Sequence, residues 1–331
     1  MGYTPSAGLQ PLRERIAQHY HEWYGHNACS APVDSEAITI VGGASAGFTL
    51  AFLAAFDPGD RVGVLEPGYP CYRNTLLALG IEPVAIPVEA GTRWAPTVEA
   101  LTAAGRLDGL IIASPSNPTG TVLPIETLRT IVGWCADHHV QLIADEIYHG
   151  IVYTAPATTV LSLTTDAVVI NSFSKYFSMT GWRLGWIVTP PHLRDAVERL
   201  QQNVYICAAH ISQVAGLAAF DGQAELDMHV QRYAANRRLL VDGLTAAGIC
   251  RIAEADGAFY VYADVGHLVG DGSPIADTVA LCGRWLDQLD LATTPGIDFD
   301  LARGNRFVRF SYAGTAEEID IGVARLQHWH P

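Results

Sequence analysis

From residue 37 to residue 190, apolar runs alternate with amphipathic stretches. The runs at 37–42 (AITIVG), 61–66 (RVGVLE), 82–88, 107–113 (LDGLIIA), 141–145 (QLIAD), 167–172 (AVVINS) and 184–189 have strand length. Several are apolar throughout rather than at every second position, the pattern of strands covered on both faces. The stretches 44–56, 72–79, 97–104, 125–138 and 192–203 carry helical spacing. Together they predict an α/β fold with a mostly parallel sheet of seven strands flanked by helices. The runs at 167–172 and 184–189 are too close for a crossover helix, so that pair is expected to be antiparallel. Ahead of this region, 9–24 reads as an amphipathic helix. Behind it, 225–247 reads as a long helix bridging to a smaller C-terminal α+β unit, with strands near 258–264 and 306–311. The expected division is a large domain over 1–228 and a small one over 229–331.

Composition narrows the function. Hydrophobic residues make up 49% of the 331 positions and charged ones 16%, so the chain has ample material for a core. A formal net charge of −14 argues against nucleic acid or an anionic membrane as the main partner. No apolar run reaches bilayer-spanning length, and no basic-then-apolar leader opens the sequence. The six cysteines, at 29, 71, 135, 207, 250 and 282, show no metal-binding spacing. Scattered thiols of this kind fit a reducing cytoplasm, and no metal is expected.

The chemistry gathers at the carboxyl ends of the expected strands, where open α/β sheets hold their ligands. Those ends carry Gly43-Ala44-Ser45-Ala46, the run 114–120 (SPSNPTG), Asp145-Glu146-Ile147-Tyr148 and Ser172-Phe173-Ser174-Lys175. The last contains the one lysine of the chain, among 20 basic residues. Arginine stays protonated and delocalised, whereas lysine can lose its proton and attack a carbonyl. A lone amine at that rim points to covalent amine chemistry, although a GC-rich gene alone also depletes lysine. The run 42–47 (GGASAG) lacks the spacing of a dinucleotide fingerprint. It does open a helix, whose first N–H groups suit an anion.

These motifs carry a resemblance. Runs 114–120 (SPSNPTG), 145–150 (DEIYHG), 172–186 (SFSKYFSMTGWRLGW) and 309–314 (RFSYAG), with 57–62, 67–72 (PGYPCY) and 294–299, lie in the order found in fold-type-I, pyridoxal-phosphate-dependent aminotransferases of class I/II. The chain resembles that family over nearly its whole length. The resemblance implies pyridoxal 5′-phosphate as cofactor, held by Lys175 as a Schiff base. Lys175 would also shuttle the substrate proton. Asp145 would pair with the pyridine nitrogen, Tyr69 would stack on the ring, and Tyr148 and Asn117 would bond its phenolic oxygen. The N–H groups of Ala44, Ser45 and Ala46, with Ser172, Ser174 and Arg183, would hold the phosphate. Arg309 would grip the substrate α-carboxylate, with Asn117 beside it. Each has an ordinary alternative: a solvated carboxylate for Asp145, a core aromatic for Tyr69 or Tyr148, a turn former for Asn117, a surface cation for Arg183, an ion pair for Arg309.

The implied reaction is amino-group transfer between an L-amino acid and a 2-oxo acid. A β-lyase or an aminocyclopropane-carboxylate-synthase-like enzyme begins with the same chemistry and remains an alternative. The family's homodimers share their active sites, and Tyr3 matches the tyrosine that reaches the partner's phosphate. In the family several dozen residues precede that tyrosine, while this sequence begins two residues before it. The expectation is therefore a Tyr3 on a loose terminus and a cofactor-binding protein of low activity as a further alternative.

Overall fold

The computed structural model describes residues 2–25 and 32–330, so Cys29 lies outside the described residues. Seven strands make the main sheet: β1 (Ile38–Val41), β2 (Arg61–Glu66), β3 (Glu82–Pro87), β4 (Gly109–Ala113), β5 (Gln141–Asp145), β6 (Val168–Ser172) and β7 (Gly185–Val188). Their order is β1-β7-β6-β5-β4-β2-β3. Every pair is parallel except the two made by β7, which runs antiparallel to both β1 and β6. The seven strands and the reversed β6–β7 pair are as the sequence predicts; the antiparallel pairing of β7 with β1 is an addition.

The helices in chain order are α1 (Gln10–Tyr24), α2 (Ala44–Ala55), α3 (Pro70–Ala78), α4 (Val98–Ala103), α5 (Ile125–His138), α6 (Arg194–Leu200), α7 (His210–Ala219), α8 (Gln223–Ala246), α9 (Thr278–Leu289) and α10 (Ala316–Gln327). Alternate residues of the central strands enter opposite cores. Ile111, Ile143 and Ile170 pack with Phe48 and Phe52 of α2, while Leu110, Leu142 and Val169 pack with Leu12 and Ile16 of α1 and Leu128 and Ile131 of α5. Two buried faces explain why the runs are apolar at every position.

The second sheet is antiparallel, in the order β10-β11-β9-β8, from β8 (Arg251–Ile252), β9 (Tyr260–Asp264), β10 (Thr294–Pro295) and β11 (Phe307–Ser311). The 24-residue α8 leads to it and passes unbroken through the expected 228/229 division. The sequence reading differs from the structure at α6, which ends at Leu200 and widens into a π-turn over Gln201–Tyr205, and in giving no helix for α7, α9 or α10.

The segment before α1 is anchored rather than loose. Gln213 of α7 accepts from Leu9 N–H at 2.8 Å and donates to Thr4 Oγ1 at 3.0 Å, and Ile40 N–H donates to Ala7 O at 2.9 Å. Thr4 is buried, yet Tyr3 projects with 82% of its surface exposed. No helix among the described residues is long and apolar enough to cross a membrane.

Candidate active site

The carboxyl ends of β1, β4, β5 and β6 open onto a cavity of about 320 Å³. Ala44, Ser45, Tyr69, Asn117, Asp145, Tyr148, Ser172, Ser174, Lys175, Arg183 and Arg309 all line it. Residues separated by as much as 265 positions in sequence thus meet at one rim, as the motif placement requires. Ala46 sits one residue deeper in the first turn of α2 and does not line the cavity. Tyr3 does not line the cavity of its own chain.

One wall suits an anion. Gly43 has φ +89°, which aims the chain into α2, and no side chain caps that helix. Its first N–H groups lack acceptors within the helix and carry the positive end of its dipole. Arg183 lies beside them: a Cβ built on Gly43 would come within 2.6 Å of Arg183 Nη2. The β6–β7 reversal brings Arg183 there, because Ser172 and Gly185 are paired across it. Ser172 Oγ lies 2.9 Å from Ser174 Oγ and accepts from the Ser174 N–H at 3.1 Å, which faces this hydroxyl pair toward the same wall.

The floor suits a cation. Asp145 is buried at the end of β5, accepting from Ile147 N–H at 3.1 Å and from the Tyr72 hydroxyl. Burial pushes its carboxyl up to about 6, opposed by the Tyr72 and Ile147 hydrogen bonds and by the charge of Lys175. A buried carboxylate held this far above its ordinary value has room for a cationic partner. Lys175 reaches over the Tyr148 and Phe259 rings, with Nζ 5.6 and 5.5 Å from their centroids. A ligand presenting an aldehyde beside a ring nitrogen and a phosphate would meet a matching group at each point.

The opposite wall is Arg309, on β11. Its Nη1 donates to Asn117 Oδ1 at 2.9 Å and Nη2 to Thr294 Oγ1 at 3.3 Å, while Nε is buried with no hydrogen-bond partner. Among the described residues no carboxylate forms an ion pair with it. The guanidinium is sandwiched instead between the rings of Tyr260, 4.2 Å from its carbon, and Phe299, at 4.8 Å. A planar, partly unsatisfied guanidinium at a cavity wall is suited to a carboxylate.

Sequence alone assigns no role to Tyr72 or Tyr260. Tyr72 lies three residues after Tyr69 on α3, within a run already noted. Their spacing was the available signal. Tyr260 had none, since its contact with Tyr148 spans 112 positions. His149, next to Tyr148, turns away from the cavity and meets Glu146 and the Tyr24 hydroxyl in the core.

Residues 1–326 match the model of the family "Aminotransferase class I and II". The chain is 48% identical to a protein of Mycobacterium tuberculosis named valine--pyruvate aminotransferase, covering 100% of this chain and 84% of that one. It is 33% identical to a (5-formylfuran-3-yl)methyl phosphate transaminase of Methanocaldococcus jannaschii, covering 99% and 83%. The crystal structure of an aminotransferase from Mycobacterium tuberculosis superposes with a TM-score of 0.93 at 47% identity, covering 99% of this chain and 83% of that one. A Thermus thermophilus aspartate aminotransferase mutant gives 0.89 at 29% identity, covering 98% and 87%. Relatives so named favour amino transfer over elimination or mere cofactor binding. The chain belongs to the class I and II aminotransferases, enzymes that move an amino group between an amino acid and a 2-oxo acid.

Proposed function

We propose that the cavity binds pyridoxal 5′-phosphate and serves transfer between an uncharged, branched L-amino acid such as valine and a short 2-oxo acid such as pyruvate. The observation that carries the cofactor assignment is the only lysine of the chain, set at the cavity beside buried Asp145 and opposite the uncapped α2. The substrate class follows the relative named for valine and pyruvate. When bound, the cofactor supplies an electron sink for the bond electrons at the substrate α-carbon.

The chain's own residues do the rest. Lys175 would hold the cofactor covalently, then take the proton from the substrate α-carbon and deliver it to the carbon that was the cofactor's aldehyde. Asp145 would pair with the ring nitrogen and keep it protonated. Tyr69, half-buried at the cavity edge, covers the ring face. Tyr148 and Asn117 bond the phenolic oxygen. The N–H groups of Ala44, Ser45 and Ala46, with Ser172, Ser174 and Arg183, hold the phosphate. Arg309 and Asn117 orient the α-carboxylate.

We assign residues 1–228 to a cofactor-binding unit and 229–331 to a smaller one carrying Arg309. The working form is a homodimer with Tyr3 donating to the partner's phosphate. Exposed Val204, Tyr205, Ile206, Ile211 and Val214 lie in and just before α7, whose His210 contacts Gly2 O at 3.1 Å. An apolar patch of this kind beside the Tyr3 segment supports a subunit contact.

The deciding experiment mixes the cofactor-loaded protein with valine and pyruvate and follows 2-oxoisovalerate and alanine. Release of ammonia and pyruvate from an amino acid that bears a β-leaving group, such as cysteine, with no acceptor present would instead indicate elimination. Arg309→Lys keeps the charge but loses the planar fork, so KM for carboxylate substrates should rise about tenfold or more with normal cofactor absorbance. Unchanged KM would remove Arg309 from the carboxylate site. Gly43→Ala places a methyl against Arg183 and strains a left-handed backbone position, at a cost of about 1–2 kcal/mol. Its expected outcome is a lower denaturation midpoint together with weaker cofactor retention on dialysis. Loss of stability without loss of retention would detach the α2 entry from phosphate binding.

A further inference from the structure

Tyr260 touches both the Arg309 wall of the cavity and Tyr148 at its floor. It lies in β9, paired with Ser311 of β11, which sets its ring beside Arg309 two residues earlier on the neighbouring strand. The ring stacks on the guanidinium at 4.2 Å. The hydroxyl is hydrogen-bonded to that of Tyr148 at 3.1 Å, and Tyr260 is only 7% exposed. A buried tyrosine normally finds a partner for its hydroxyl, but here the partner is another residue of the site. The Tyr148 and Tyr260 rings stand edge to face, 5.8 Å apart at 83°. Thr294 and Phe299 add further contacts to Arg309, but neither reaches Tyr148.

We infer that Tyr260 is a positioning residue with two separable tasks: its ring holds the Arg309 guanidinium flat for the carboxylate, and its hydroxyl directs the Tyr148 hydroxyl toward the cofactor's phenolic oxygen. The inference rests on the cofactor assignment made above. In the structure the Tyr148 hydroxyl donates to that of Tyr260. With an acceptor in the cavity, the pair can reverse. Tyr260 then donates to Tyr148, and Tyr148 donates onward. Hydrogen bonds in series polarise one another, so the second donor strengthens the first. A stronger donor to the phenolic oxygen draws charge from it, and a protonated nitrogen nearby is then held less tightly.

Two variants separate the tasks. Tyr260→Phe keeps the stacking ring and removes the hydroxyl. The pH midpoint of the bound cofactor's visible absorbance band should move upward by about half a unit or more, with KM for valine changed less than about threefold. Tyr260→Leu removes the ring as well, and KM should then rise about tenfold. A role confined to packing predicts the same midpoint in wild type and Tyr260→Phe, and that result would overturn the hydroxyl task. An unaltered KM in folded Tyr260→Leu, with secondary structure verified by circular dichroism, would overturn the ring task. If wild-type protein incubated with pyridoxal 5′-phosphate develops no such band, the cofactor reading itself fails and this inference falls with it. A band with an unmoved midpoint refutes the hydroxyl task alone.

Discussion

Replacing Lys175 by alanine is expected to abolish turnover, by about 10⁴-fold or more, and Lys175→Arg is expected not to restore it. The arginine keeps a positive charge at the same place, but its delocalised nitrogen neither condenses with an aldehyde nor releases a proton near neutral pH. Because the chain has a single lysine, the covalent assignment has an unusually clean test. Borohydride reduction of the loaded protein should add one cofactor mass to the peptide containing Ser172–Tyr176. An adduct on another residue, or none on protein that retains the cofactor, would contradict the assignment. The alanine variant should still take up the cofactor, since the phosphate wall and Asp145 are untouched, but reduction should no longer fix it.

Asp145→Asn should cost on the order of 10³-fold in kcat while leaving the fold intact or stabilised. The loss arises because an amide cannot hold a proton on the ring nitrogen by charge. The stability follows from linkage. Burial pushes the Asp145 carboxyl up to about 6, so the folded chain binds this proton more tightly than the unfolded one. The group's favourable contribution is complete below the ordinary carboxylate value near 4 and is lost as pH rises through about 6. At neutral pH the unpaired carboxylate is a cost to the protein without cofactor, and an amide removes it. Asparagine can also keep both hydrogen bonds, accepting from Ile147 N–H and donating to the Tyr72 oxygen. Denaturation of the cofactor-free variant at pH 8 should therefore show a midpoint at or above wild type. A marked destabilisation would identify Asp145 as a structural residue instead.

Much of this arrangement is legible in the sequence, for identifiable reasons. The main sheet announces itself because both of its faces are covered, which forces apolar residues at consecutive positions of strands such as Val168–Ser172. The β6–β7 reversal follows from chain length alone. Asn117, Asp145, Lys175 and Arg183 all sit at or just beyond strand ends, so locating the strands also locates the rim. The C-terminal sheet is harder to read. β8 and β10 hold two residues each, too short to show a period. α9 and α10 open on start signals of their own: Asp277 accepts from Ala280 N–H, and Thr315 with Glu318 forms a capping box. Tyr72 and Tyr260 belong to a third group. Their hydroxyls meet partners 73 and 112 positions away, and no local pattern encodes such a contact. The hold on Thr4 and Leu9 is of the same kind, since it depends on Gln213 arriving from α7.

The β6–β7 hairpin has one further consequence. Surface connections ordinarily tolerate inserted residues at little thermodynamic cost. The connection between Ser172 and Gly185 should not, even though Thr180, Gly181 and Trp182 are exposed. It acts as a ruler. Its length fixes the separation between the amine of Lys175 and the guanidinium of Arg183, which under the assignment proposed above would hold the aldehyde carbon and the phosphate of one small molecule. A single residue added near Gly181 should leave a folded, soluble sheet whose two grips no longer match what they hold. Libraries that vary this loop should therefore show substitutions accepted at exposed positions and length changes rejected at every one.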